Sequence, residues 1–109
     1  MSLDVHLIVP PTRPNAVYWA NITHNLSVMA GKAGIYEHLW RPGENGITKA
    51  GELINPLTRG LSKLRAEPAY YHQFDPKNGW GAYEDLVYFV EMYLAACRAN
   101  PHADISVSR

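Results

Sequence analysis

Polar and apolar residues alternate at both ends of the chain. Leu3, Val5, Leu7 and Val9 fall on one face, and Asp4, His6 and Ile8 on the other. That period of two predicts a half-buried strand over Leu3–Val9. Pro10-Pro11-Thr12-Arg13-Pro14-Asn15 follows and predicts an extended loop, because proline fixes its own backbone and supplies no donor. Near the other end, Ala103, Ile105 and Val107 alternate with Asp104, Ser106 and Ser108. Two short strands that stayed unpaired would leave backbone groups exposed. The chain ends are therefore expected to pair as a small ribbon lying on helices.

Between them the period lengthens. Ile22, Leu26, Met29, Ala30 and Ala33 recur at helical spacing, which predicts a first helix from Tyr18 to Ala33 with Gly34 as its C-cap. Ile35–Trp40 reads as a short helix or turn stopped by Arg41-Pro42-Gly43. Thr48 is a good N-cap, and Asn55-Pro56 resembles a cap followed by a first helical residue. Lys49–Ile54 and Pro56–Ala66 are thus one kinked helix or two. Pro68–Phe74 is a further turn. Ala82–Ala99 is the clearest helix, with Tyr83, Leu86, Val87, Val90, Leu94 and Cys97 on one stripe and Pro101 beyond its end. The fold class expected is α+β: one mainly helical domain over residues 1–109, with a two-stranded ribbon made by the terminal strands.

Composition narrows the partners. Ten Lys and Arg balance ten Asp and Glu, so the formal charge is zero and duplex nucleic acid is not an expected partner. No apolar run is long enough for a membrane span, and no secretion signal is evident, so a cytoplasmic protein is expected. The single cysteine, Cys97, permits no internal disulfide and fits a reducing compartment. The five histidines lack metal-ligand spacing, and no metal or cofactor is expected.

Two polar knots stand out. Asn21-Ile22-Thr23-His24-Asn25-Leu26 packs weak helix formers into a predicted helix. Asn78-Gly79-Trp80-Gly81-Ala82-Tyr83 places aromatics around two glycines just before the last helix. Asn21, His24 and Asn25 could hydrogen-bond a polar ligand. Trp40 and Trp80 could stack on a planar group, with Arg41 meeting an anion. Asn21, His24 and Asn25 are expected to border the same cleft as Asn78, Trp80 and Tyr83, either as a ligand site or as a structural network. Tyr88, Phe89 and Met92 leave apolar surface outside the main stripe of the last helix, which points to self-association or to docking on another protein.

The segments Asn21–Leu26, Ala33-Gly34-Ile35-Tyr36, Leu39-Trp40-Arg41-Pro42, Asn78-Gly79-Trp80-Gly81-x-Tyr83-Glu84 and Val107-Ser108-Arg109 resemble those of a small, largely uncharacterised family of phage, prophage and bacterial proteins. The resemblance spans nearly the whole chain and implies a setting: a compact accessory protein, in the host cytoplasm if phage-encoded. It implies no catalytic residue. By analogy of setting and size, such a protein would act by binding, as an inhibitor of host defence or a sponge for a nucleotide signal. The expected function is therefore non-catalytic binding of a small polar, nucleotide-like ligand through Asn21, His24, Asn25, Trp40, Arg41, Asn78, Trp80 and Tyr83. The alternatives are a module that docks on a host or phage protein, and a small hydrolase or transferase with His24 as base and Glu84 as partner.

Overall fold

The computed structural model describes residues 1–9 and 16–109, so the loop expected over Pro10–Asn15 lies outside the described residues. Three antiparallel strands form one sheet in the order β2-β1-β3: β1 (Ser2–Ile8), β2 (Ala16–Thr23) and β3 (Asp104–Ser108). The terminal strands pair as expected, with Val5 opposite Val107 and Leu7 opposite Ile105. Leu3, Val5 and Leu7 are buried, while Asp4, His6 and Ile8 lie on the half-covered face.

The sheet is one strand wider than the ribbon expected. Tyr18–Thr23 is not the start of a helix but the body of β2, with Leu3 opposite Ile22 and Asp4 opposite Asn21. The physical reason lies in the residues themselves. Val17, Tyr18, Trp19, Ile22 and Thr23 are branched or aromatic and fit a pleated surface better than a helix. Ile22 satisfies both periods, being buried from the strand as it would be from a helix. The helical pattern begins only after Thr23, whose Oγ1 accepts from the backbone N–H of Asn25 and caps a 3-10 turn over His24–Leu26. The first α-helix, α1, is then only Ser27–Lys32.

Four more helices follow: α2 (Tyr36–Trp40), α3 (Ile54–Ala66), α4 (Pro68–His72) and α5 (Tyr83–Ala99). Thr48 does not act as a cap. A 3-10 turn over Ala50–Leu53 runs into α3, and the Glu52 carboxylate accepts from the backbone N–H groups of Thr48 and Lys49 at 3.1 and 3.0 Å. Those two hydrogen bonds hold the Glu52 carboxyl below the usual range. Pro56 is the third residue of α3, where a missing N–H costs nothing because the first turn has no internal acceptor for it.

α5 packs on β2 and along α3, and the core forms where they meet. Cys97 is buried there, and burial pushes its thiol up to about 12, which keeps it protonated and unreactive. Tyr93 is fully buried, lies parallel to Tyr18 at 5.9 Å, and its hydroxyl has no hydrogen-bond partner among the described residues. A buried hydroxyl without a partner keeps its desolvation cost uncompensated. Tyr93→Phe is therefore expected to raise stability by about 1 kcal/mol in urea unfolding. A loss of stability would show that the hydroxyl is paired.

Candidate functional site

The two polar knots come together in part. The loop before α5 is built by side chains that fasten backbone. Asn78 Oδ1 accepts from the N–H of Trp80 at 2.9 Å, Asp85 from that of Ala82 at 2.9 Å, and Asp75 from that of Tyr83 at 2.7 Å. Gly81 sits at φ 106°, and a Cβ there would lie 2.8 Å from the Thr23 methyl and 3.2 Å from Leu26. Only glycine allows both that backbone and that approach. The loop thus presses on the end of β2 and holds Trp80 outward, 70% exposed.

Trp80 borders a cleft of about 510 Å³ shared with Met1, Ser2, Asn21, Thr23 and Asn25. Asn21 lies on the outer face of β2, its Nδ2 donating to Ser2 Oγ at 2.8 Å and to Asp4 Oδ1 at 2.6 Å. Asn25 Nδ2 donates to Thr23 Oγ1 at 3.0 Å. Both amide N–H groups are thus engaged in fixing the strand and the turn after it.

The remaining candidates go elsewhere. Tyr83 is buried, and its hydroxyl donates to the Leu64 carbonyl at 2.6 Å, tying α5 to α3. Burial raises its pKa. Asn78 serves the loop backbone. His24, one residue from Asn25, turns to a different pocket with Trp40 and Arg41. Glu84 lies 3.2 Å from Nε2 of His72, not beside His24, and Asp75 holds Nδ1 of His72 at 2.8 Å. This arrangement lends no geometry to a His24–Glu84 acid–base pair.

His72 carries its own consequence. The Asp75 hydrogen bond first, and then the Glu84 charge, raise its pKa. A folded-state pKa above the unfolded one stabilises fully below the unfolded value, about 6.5, and is lost as pH rises through the folded value. The melting temperature of the wild type should fall between about pH 6 and pH 8 by more than that of His72→Asn. Equal pH profiles would remove this role for the Asp75–His72 contact.

The second pocket, about 380 Å³, is lined by His24, Ser27, Tyr36, Trp40, Arg41 and Arg109. Trp40 is only 2% exposed and lies parallel to Tyr36 at 5.4 Å, so its faces are committed to packing. His24 meets Trp40 edge-on at 6.2 Å, and its Nε2 is buried without a hydrogen-bond partner among the described residues. Arg41 Nε donates to the Tyr36 hydroxyl at 3.2 Å, and Arg41 Nη1 to Glu44 at 2.7 Å. Arg109 Nη1 reaches the same Glu44 oxygen at 3.2 Å. The Arg41 and then the Arg109 hydrogen bonds hold the Glu44 carboxyl below its ordinary range. One carboxylate thus faces two guanidiniums.

Arg109 was not singled out as a binding residue from the sequence. Pairing of β3 with β1 carries the chain past the turn after α2 and sets Arg109 beside Glu44. The trace it left in the sequence is the terminal Val107-Ser108-Arg109 motif. No three of the His, Cys, Asp and Glu side chains among the described residues converge as metal ligands, and no helix among them is long and apolar enough to cross a membrane. Comparison with family models, curated proteins and solved structures gives no significant match.

Proposed function

We propose that the protein binds a small phosphate-bearing ligand of the nucleotide class, without transforming it, in the pocket of His24, Ser27, Arg41 and Arg109. One observation carries the reading. Two guanidiniums and the His24 ring line a single pocket, His24 Nε2 is buried without a hydrogen-bond partner among the described residues, and the Glu44 carboxylate pairs with both arginines. Guanidinium forks suit phosphate oxygens, and a ligand oxygen could take the place of Glu44 on either arginine. The His24 ring can offer Nε2 as donor or acceptor, depending on its tautomer. The volume suits a small metabolite. Ser27 and His24 both line the pocket, but among the described residues no hydrogen bond pairs them as nucleophile and base, which favours binding over chemistry. In a phage-type accessory protein, the setting that the sequence resemblance implies, such binding would sequester a nucleotide-derived signal.

Trp80 supports a narrower second reading. An indole so exposed, on a loop so firmly fastened, is a stacking platform for a planar group, beside the exposed side-chain amides of Asn21 and Asn25. Quenching of tryptophan fluorescence by nucleosides in the wild type, absent in Trp80→Ala, tests it.

Titration calorimetry against inorganic phosphate and a panel of mono- and cyclic nucleotides tests the main reading. At least one nucleotide should bind. Arg41→Ala and Arg109→Ala should each weaken it by about 10-fold or more, the expected loss for one charge-assisted hydrogen bond. No heat with any of them at high protein concentration would overturn the proposal.

A further inference from the structure

The two arginines of the second pocket already hold an anion, and it belongs to the chain. A single oxygen of Glu44 accepts from Arg41 Nη1 at 2.7 Å and from Arg109 Nη1 at 3.2 Å. A charged oxygen between two guanidinium forks stands where a phosphate oxygen would bind. The Arg41 hydrogen bond, and then that of Arg109, hold the Glu44 carboxyl below the ordinary carboxylate range, so it is ionised at neutral pH.

The turn that carries Glu44 is fixed in its backbone. Gly43–Asn45 form a 3-10 turn between Pro42 and Gly46. Asn45 Nδ2 donates to the Arg41 carbonyl at 2.9 Å, and the Ile47 N–H donates to that of Pro42 at 2.9 Å. Neither bond involves the Glu44 carboxylate. A Cβ at Gly43 or Gly46 would meet nothing within 4 Å, so the turn stands clear of the body of the protein. The Glu44 side chain is 57% exposed, and leaving the arginines breaks two surface ion pairs. Arg41 has an anchor of its own: its Nε donates to the Tyr36 hydroxyl, and the Tyr36 ring stacks on Trp40.

Glu44 and His24 line different cavities. Glu44 lines one of about 210 Å³ with Gly43 and Val107, His24 and Ser27 line the larger pocket, and Trp40, Arg41 and Arg109 border both. We infer that Glu44 is an internal competitor: it holds the arginine pair in the unliganded protein, and an anion binds there by displacing it. The inference rests on the reading of this pocket as an anion site, and it makes Glu44 a specificity-determining residue. A carboxylate tethered so closely competes at an effective concentration on the order of millimolar. A free monocarboxylate would replace like with like and gain nothing to offset that. A phosphate group brings more charge and more acceptor oxygens, and can engage both forks. The pair is thereby biased toward phosphates and against simple carboxylates.

Calorimetry on the full chain tests this, with inorganic phosphate and the nucleotide panel titrated into the wild type, Glu44→Gln, Glu44→Ala and Glu37→Gln. Glu37 is exposed in the first turn of α2, and its carboxylate pairs with neither arginine among the described residues. Both Glu44 variants should bind the same nucleotide about 3- to 10-fold more tightly than the wild type, the range expected when two surface ion pairs no longer compete. Glu37→Gln, whose lost charge is screened by solvent, should change binding by less than about 2-fold. Acetate should displace phosphate from Glu44→Ala at concentrations that leave the wild type unaffected. In the wild type, the NMR signal of the Glu44 carboxyl carbon should shift with the same ligand and the same affinity as both guanidinium groups. Equal or weaker binding by the Glu44 variants, or guanidinium shifts without a Glu44 shift, would overturn the competitor role and leave the anion pocket standing. An equal gain in Glu37→Gln would also overturn it, by reducing the effect to overall charge. No binding to the wild type or to either Glu44 variant would overturn the pocket reading itself, and this inference with it.

Discussion

Leu26→Ala is expected to lower the unfolding free energy by about 2–5 kcal/mol, the cost of deleting a fully enclosed leucine. Leu26 has no exposed surface, and its side chain lies under Gly81, where a Cβ would come within 3.2 Å of it. It therefore joins the first polar motif to the second through packing. Its neighbour Asn25 is exposed, and Asn25→Ala should cost less than about 1 kcal/mol, since it loses only a surface hydrogen bond to Thr23. Chemical denaturation of the two variants separates the roles. Similar losses from both would mean that the motif acts as one buried network.

Gly60→Ala is expected to cost about 1–3 kcal/mol, although alanine is the better helix former. Gly60 is buried in α3 against Ile35, and an added Cβ would fall 2.3 Å from Ile35 Cγ2 and 3.2 Å from its Cδ1. That overlap forces the residue before α2 away from α3. Ile35→Ala removes both clashing carbons, so the double variant should lose clearly less than the sum of the single ones. Strict additivity in that cycle would mean the two residues do not touch.

The terminal strands were legible because each alternates cleanly with one face buried. α5 was legible because its stripe is long and uninterrupted. β2 was not, because Ile22 fits a strand and a helix equally well. The strong helical pattern from Leu26 onward also extended backward over Tyr18–Thr23. Assigning those residues to a strand changes what the motif means. In a helix Asn21 and Asn25 share a flank with the core stripe beside them. Here a strand ends at Thr23, so Asn21 faces Asp4 and Ser2 across the sheet while His24 turns toward Trp40.

The candidate site was legible only in its parts. Asn21 and Asn25 lie with Trp80, and His24 lies with Trp40 and Arg41, but in separate pockets. Tyr83 shows why aromatic residues beside a loop mislead: a tyrosine that fits the core stripe can satisfy its hydroxyl on a neighbouring helix carbonyl. Arg109 depended on strand pairing between residues at opposite ends of the chain, which no local pattern announces.

We propose that His24, Arg41 and Arg109 form one anion-binding pocket. The most direct measurement follows their side-chain nitrogens by NMR while a nucleotide panel and inorganic phosphate are titrated in. Saturable shifts of the His24 ring and both guanidinium groups with the same ligand, while the Trp80 indole stays unchanged, are the predicted result. No shift at any of the three groups at millimolar ligand, or shifts confined to Trp80, Asn21 and Asn25, would contradict it.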